Sequence, residues 1–142
     1  MEFGAFRGIG TVLIVDDEPT VMHAAVGLLS KMGFDIMTAV DGRGAVSIFE
    51  RHCHQIVCVI LDLTMPEMDG VEACQHLRKI HARTPIVISS GYEESELDDC
   101  FAGSGLFAFI QKPSHRSSLE ATMRKVLEQD RDLEFASLSP SL

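Results

Sequence analysis

The stretch VLIVDDEP, Val12 to Pro19, decides how the chain folds. Thr11 to Val15 is rich in β-branched and apolar residues, and it stops abruptly at Asp16, Asp17 and Glu18. A strand that ends on acidic residues and is followed by proline reads as strand, loop and helix start, because Pro19 presets the φ of a first helical turn. Val21, Ala25, Leu28, Leu29 and Met32 then recur at spacings that share one helical face, and Gly33 is placed to stop that helix.

The same alternation continues downstream. Phe34 to Val40 predicts a second strand, and Asp41 is placed to cap a helix whose Ala45, Ile48 and Phe49 share a face. Ile56 to Leu61 is apolar throughout, as expected of a central strand covered on both faces, and it ends at Asp62. After a Pro66/Gly70 loop, Val71, Cys74 and Leu77 mark a third helix, and Pro85 to Ser89 a fourth strand. Leu97, Cys100 and Phe101 suggest a short fourth helix, closed by Gly103 and Gly105. Leu106 to Gln111 is a fifth strand. Ser117 with Glu120 matches a capping box for a fifth helix carrying Leu119, Met123, Val126 and Leu127 on one face. Five strands alternating with five helices predict an α/β fold, a doubly wound parallel sheet with helices on both sides.

Composition narrows the function. The 142 residues include 12 basic and 21 acidic side chains, a net charge of −9, which opposes sequence-independent attraction to nucleic acid. No apolar run approaches the length of a membrane span and no signal pattern opens the chain, so neither membrane contact nor export is expected and a cytoplasmic setting is. Cys53, Cys58, Cys74 and Cys100 lack C-x-x-C spacing and sit among apolar residues, as reduced core thiols do. His52 and His54 flank Cys53, but no second cluster with zinc spacing accompanies them, and they read as a solvated helix end. Residues 1–10 and 131–142 read as tails around a single domain at 11–130.

Ligands of doubly wound sheets bind beyond the carboxyl ends of strands, where Asp16, Asp17 and Asp62 fall. Three carboxylates gathered there repel one another unless a cation joins them, and a hard divalent ion such as Mg2+ (or Mn2+) suits oxygen donors. An aspartate carboxylate can also act as a nucleophile. Ser90, after strand four, offers a hydroxyl, and Lys112, after strand five, a cation, which completes a set fit for phosphoryl transfer. Ser89 competes with Ser90 as donor from the opposite face of the strand.

The segments VLIVDDEP, LDLTMPEMDG (Leu61 to Gly70), PIVISSG (Pro85 to Gly91) and FIQKP (Phe109 to Pro113) together resemble the motifs of the response-regulator receiver family, in order and spacing, from about residue 11 to about 128. The resemblance implies the flavodoxin-like (βα)5 sheet with strand order 2-1-3-4-5. It makes Asp62 the phosphoacceptor, Asp16 and Asp17 the acidic pair that organises the metal, and Thr64 the donor of a backbone carbonyl to it. Ser90, one residue before Gly91, becomes the switch hydroxyl, Lys112 the phosphate-binding cation, and Phe109 the switch aromatic. It also implies a cis peptide bond before Pro113, which X-Pro bonds allow. Two positions depart from the commonest pattern: Ser90 stands where threonine is frequent, and Phe109 where tyrosine is.

The family implies a donor, the phosphohistidine of a histidine kinase or phosphotransfer domain, and a domain that catalyses its own phosphorylation and dephosphorylation without being a kinase. A homodimer is allowed for. SSGY (Ser89 to Tyr92) and FAGSGLFAFIQKP (Phe101 to Pro113) resemble receivers at the C-termini of hybrid sensor histidine kinases, with a stand-alone single-domain regulator as the alternative. Two other classes fit less well. A magnesium-dependent phosphohydrolase needs a D-x-D-x-[TV] arrangement that Asp62, Leu63 and Thr64 do not supply, and a phosphorylation-independent interaction domain would not need the full acidic, hydroxyl and lysine set.

Overall fold

Strand β1, Thr11–Val15, carries the apolar run quoted above, and its five residues are all buried. The structure, a computed structural model, describes residues 10–62, 70–81, 84–90, 107–111 and 119–127. Helix α1, Pro19–Lys31, begins with Pro19 at its first turn and ends at Met32, and Gly33 follows with φ of 105°. That left-handed backbone suits glycine and terminates the helix as expected. Strand β2 is Asp35–Ala39, and helix α2, Gly42–His52, starts where the Asp41 carboxylate accepts the Gly44 N–H at 2.8 Å. Strand β3, Ile56–Asp62, helix α3, Gly70–Ile80, and strands β4, Ile86–Ser90, and β5, Phe107–Gln111, follow. Residues 119–127 form a further helix. The short helix expected around Leu97 to Phe101 and the capping serine Ser117 lie outside the described residues.

The five strands form one parallel sheet in the order β2-β1-β3-β4-β5. Chain order reverses between β1 and β3, and right-handed crossovers running in opposite directions from that point place α1 on one face and α2 and α3 on the other. The core divides accordingly. On one face Leu13, Val15, Val59, Leu61, Ile86 and Ile88 pack with Ala45 and Phe49 of α2 and Ala73, Cys74 and Leu77 of α3. On the other, Val12, Ile14, Cys58, Ile60, Val87 and Ile110 pack with Leu29 of α1 and with Leu119, Met123 and Val126 of the helix at 119–127. Burying each large side chain contributes roughly 1.5–3 kcal/mol, and both faces of the central strands are used. Cys58 and Cys74 are buried thiols outside any disulfide and Cys53 is half-buried, and burial pushes the Cys74 thiol above its ordinary range.

One irregularity sets the alignment of the two central strands. Thr11 pairs with Ile56, but Val12 pairs with Cys58, so Val57 is an extra residue in β3. Side-chain alternation breaks at the same place: Ile56 belongs to the α2/α3 side, while Val57 and Cys58 both pack on the α1 side. This is the signature of a β-bulge. Beside it, Gly10 has φ of 112°, and a Cβ there would run into the Val57 side chain. Gly10→Ala therefore meets two obstacles, a left-handed backbone and the bulged valine. It is expected to destabilise the fold by about 1–3 kcal/mol. In urea unfolding, Gly10→Ala combined with Val57→Ala should recover the steric part of that loss and leave the backbone part.

Candidate functional site: an acidic cluster at the switch point

Downstream of the bulge the register runs Val15 opposite Leu61, so the next residues, Asp16 and Asp62, emerge from adjacent strands at the same level. Asp16 extends the ladder by one step, its N–H donating to the Ala39 carbonyl at 3.1 Å. One oxygen of its carboxylate accepts the Glu18 N–H at 2.9 Å, a local turn that leads the chain into α1. Asp62 is the last residue of β3, and its Cα is paired with that of Ser89 in β4.

These placements bring three of the expected site residues together. Asp16, Asp17 and Asp62 each offer a carboxylate oxygen, and these atoms all lie within 4.8 Å of one another. Asp16 and Asp62 are buried, at 4% and 5% exposure, and Asp17 is exposed. Burying carboxylates close together is costly unless hydrogen bonds or a positive charge offset it. An all-oxygen donor set of this size, open to solvent on the Asp17 side, fits a hard divalent cation that retains part of its water shell. Ordinary surface acids do not converge in this way from two buried strand ends.

The remaining expected residues are placed only in part. Ser90 ends β4, its Cα paired with Gln111, and Phe109 pairs with Ile88 in β5, which fixes the backbone of each. Thr64, Lys112 and the peptide bond before Pro113 lie outside the described residues. Ser89 is buried and shares with Asp16, Ile14 and Ile60 the lining of an apolar cavity of about 480 Å3 between α1 and the sheet. Glu18 and Thr20 line the same cavity, and neither was singled out in the sequence. A Glu-Pro pair reads as an ordinary helix start, and Glu18 indeed occupies the N-cap, yet its side chain makes no capping bond.

The model of the response regulator receiver domain matches residues 12–124. The chain belongs to this family. Among curated proteins, the receiver is 38% identical over 120 residues to the "Probable transcriptional regulator ycf27" of Porphyridium aerugineum, covering 83% of this chain and 48% of that protein. It is 33% identical over 122 residues to the sensor kinase CckA of Brucella abortus, covering 86% of this chain and 13% of the kinase. The chain thus spans about half the length of one relative and about an eighth of the other. Among solved structures, CheY of Borrelia burgdorferi, from a CheX-CheY-BeF3-Mg2+ complex, superposes with a TM-score of 0.77 at 31% identity over 82% of this chain and 88% of that one. CheY4 of Vibrio cholerae superposes with a TM-score of 0.78 at 26% identity, over 84% and 100%. The α/β flavodoxin-like fold and the receiver identity are therefore those the sequence implied, and the protein is a part of two-component signalling.

Mutual repulsion among the three carboxylates has a measurable consequence. Asp17→Asn removes one negative charge from the exposed side of the cluster without opening the core. In chelator the variant should melt at a higher temperature than the parent. In Mg2+ the parent should gain stability, because a ligand that binds only the folded state stabilises by mass action, and the variant should gain less. Thermal melts of both proteins with and without Mg2+ check this.

Proposed function

We propose that Asp62 accepts a phosphoryl group from the phosphohistidine of a histidine kinase or phosphotransfer domain, with Mg2+ (or Mn2+) held by Asp16, Asp17, Asp62 and the backbone carbonyl of Thr64. The observation that carries this reading is the convergence of the three carboxylates, within 4.8 Å, at the carboxyl ends of β1 and β3 in a receiver chain. The relative from Borrelia burgdorferi, whose complex contains BeF3 and Mg2+, supports it.

In the proposed step a carboxylate oxygen of Asp62 attacks phosphorus, an O–P bond forms, and the P–N bond to the donor imidazole breaks. The imidazole leaves and takes up a proton. A bound divalent ion supplies charge neutralisation between the carboxylates and the transferring group. Asp16 and Asp17 orient that ion, and the turn at Glu18 N–H holds Asp16 in place. Lys112 offsets phosphoryl charge from the end of β5, where positioning and electrostatics provide most of the catalysis that phosphoryl transfer needs. Hydrolysis of the aspartyl phosphate by the same groups returns the domain to its starting state.

The new charge then acts on the segments that follow β4 and β5. A phosphoryl group brings up to about two negative charges and three acceptor oxygens. Ser90 and Lys112 move toward it, and β5 with Phe109 follows, a population shift between two arrangements. Phe109 has no hydroxyl, so its ring reports the switch by packing alone. The functional unit is residues 11–130, flanked by tails at 1–10 and 131–142, in a cytoplasmic setting and with a homodimer allowed for. Among the described residues no helix is long and apolar enough to cross a membrane. A place in a hybrid sensor histidine kinase is supported by the similarity to CckA, and a stand-alone regulator is the second reading.

Incubation with a small acyl phosphate and Mg2+, followed by intact-mass measurement, tests the acceptor. The parent protein should gain one hydroxylamine-labile phosphoryl group, and Asp62→Asn none. Lys112→Ala should slow the gain by about 10²-fold. Equal phosphorylation of parent and Asp62→Asn would refute the assignment. In amide spectra of the phosphorylated protein, Ser90 and residues 107–111 should shift, and unchanged positions there would refute the coupling of acceptor to β5.

A further inference from the structure

One of the two histidines flanking Cys53, His54, acquires a partner that its sequence neighbourhood does not show. His54 lies in the exposed turn between α2 and β3, and His81 directly follows α3. The two segments sit side by side because Cys53 and Ile80 pack against the same core cluster. Their rings face each other edge to face, with centroids 6.3 Å apart and planes at 90°.

The surroundings hold one of these rings in place. His81 Nδ1 lies 3.0 Å from the hydroxyl of Thr84, a residue only 4% exposed. The Thr84 carbonyl in turn accepts a hydrogen bond from the Arg78 guanidinium at 2.6 Å. When Nδ1–H donates to the Thr84 hydroxyl, Nε2 keeps its lone pair. A hydrogen bond on the far nitrogen is the arrangement that orients metal-binding imidazoles. Two imidazoles bonded to one ion at about 2.0–2.1 Å place their centroids roughly 5 Å apart, a spacing that rotation of the exposed His54 side chain reaches.

We propose that His54 and His81 form a two-imidazole site for a divalent transition metal, at the pole of the sheet opposite Asp62. Water completes the coordination shell, since no third histidine, cysteine or carboxylate joins the pair among the described residues. The two poles then differ in chemistry. Oxygen donors at the carboxyl ends of the strands suit Mg2+, whereas nitrogen donors suit Zn2+, Ni2+ and, most strongly, Cu2+. The seven residues of β3 separate the two sites by about 20 Å, so each fills independently.

Calorimetric titration of the full chain with Zn2+ in excess Mg2+ provides the test, because Mg2+ occupies the acidic cluster. One saturable site is expected. His54→Ala, at an exposed position that does not burden folding, and His81→Gln should each abolish it, and Thr84→Val should weaken it about tenfold. With Cu2+, electron paramagnetic resonance should show coupling to two imidazole nitrogens. No saturable binding, or binding unchanged in both histidine variants, overturns the proposal and leaves the ring contact as packing. Binding that declines as Mg2+ rises assigns the ion to the carboxylates and overturns it equally.

Discussion

Side chains on paired strands point the same way only if the strands are in register, and both the core and the acidic cluster depend on the register of β1 against β3. With the bulge at Val57, Leu13 faces the same side as Val59, Ile14 the same side as Ile60, and Val15 the same side as Leu61. Continued from the Thr11–Ile56 pair without the extra residue, the register would set Asp16 beside Leu61 and leave Asp62 one step beyond it. The bulge lies at the opposite end of the strand from the carboxylates, yet it determines that they meet. Gly10 accommodates it, since a side chain there would occupy the space of Val57. A glycine in the segment entering the first strand is thus tied to the meeting of carboxylates at the far end of the sheet.

Convergence of charge at one sheet edge is tolerable because of where it falls. The carboxyl ends of parallel strands at a switch point leave a crevice that no crossover covers, so Asp17 stays in water while Asp16 and Asp62 are buried. Two buried carboxylates alone would be a steady cost to the fold. A divalent cation bound there would offset the negative charge that the fold has already concentrated.

Much of this was legible in the sequence, for reasons that differ by element. Pro19, Gly33 and Asp41 act locally, through fixed φ, left-handed backbone and a side-chain cap, and each does what its chemistry predicts. The acidic cluster was legible because strand ends in an α/β sheet share one edge. The bulge was not. Ile56 to Leu61 is apolar at every position, so its pattern carries no record of which residue faces which side, and a break in alternation leaves no trace. Ser89 and Ser90 pose the same difficulty in a smaller form. Strand geometry separates them by face but does not rank them, and the structure seats Ser89 beside the cavity lined by Asp16.

The histidines show what local reading misses in principle. His52, Cys53 and His54 invite comparison with metal motifs, and spacing alone argues against one, because a second cluster is absent nearby in sequence. Sequence spacing is informative when the ligands share a turn or a helix, and it says nothing about two loops that enter adjacent strands. Where strands consecutive in sequence are neighbours in the sheet, as β3 and β4 are, their amino-terminal loops are separated by one strand and one helix, so residues about 27 apart in sequence meet. His54 and His81 stand at that separation. Their meeting follows from the neighbouring positions of β3 and β4, and the hydroxyl of Thr84 then supplies what spacing never could, an orientation for one of the rings.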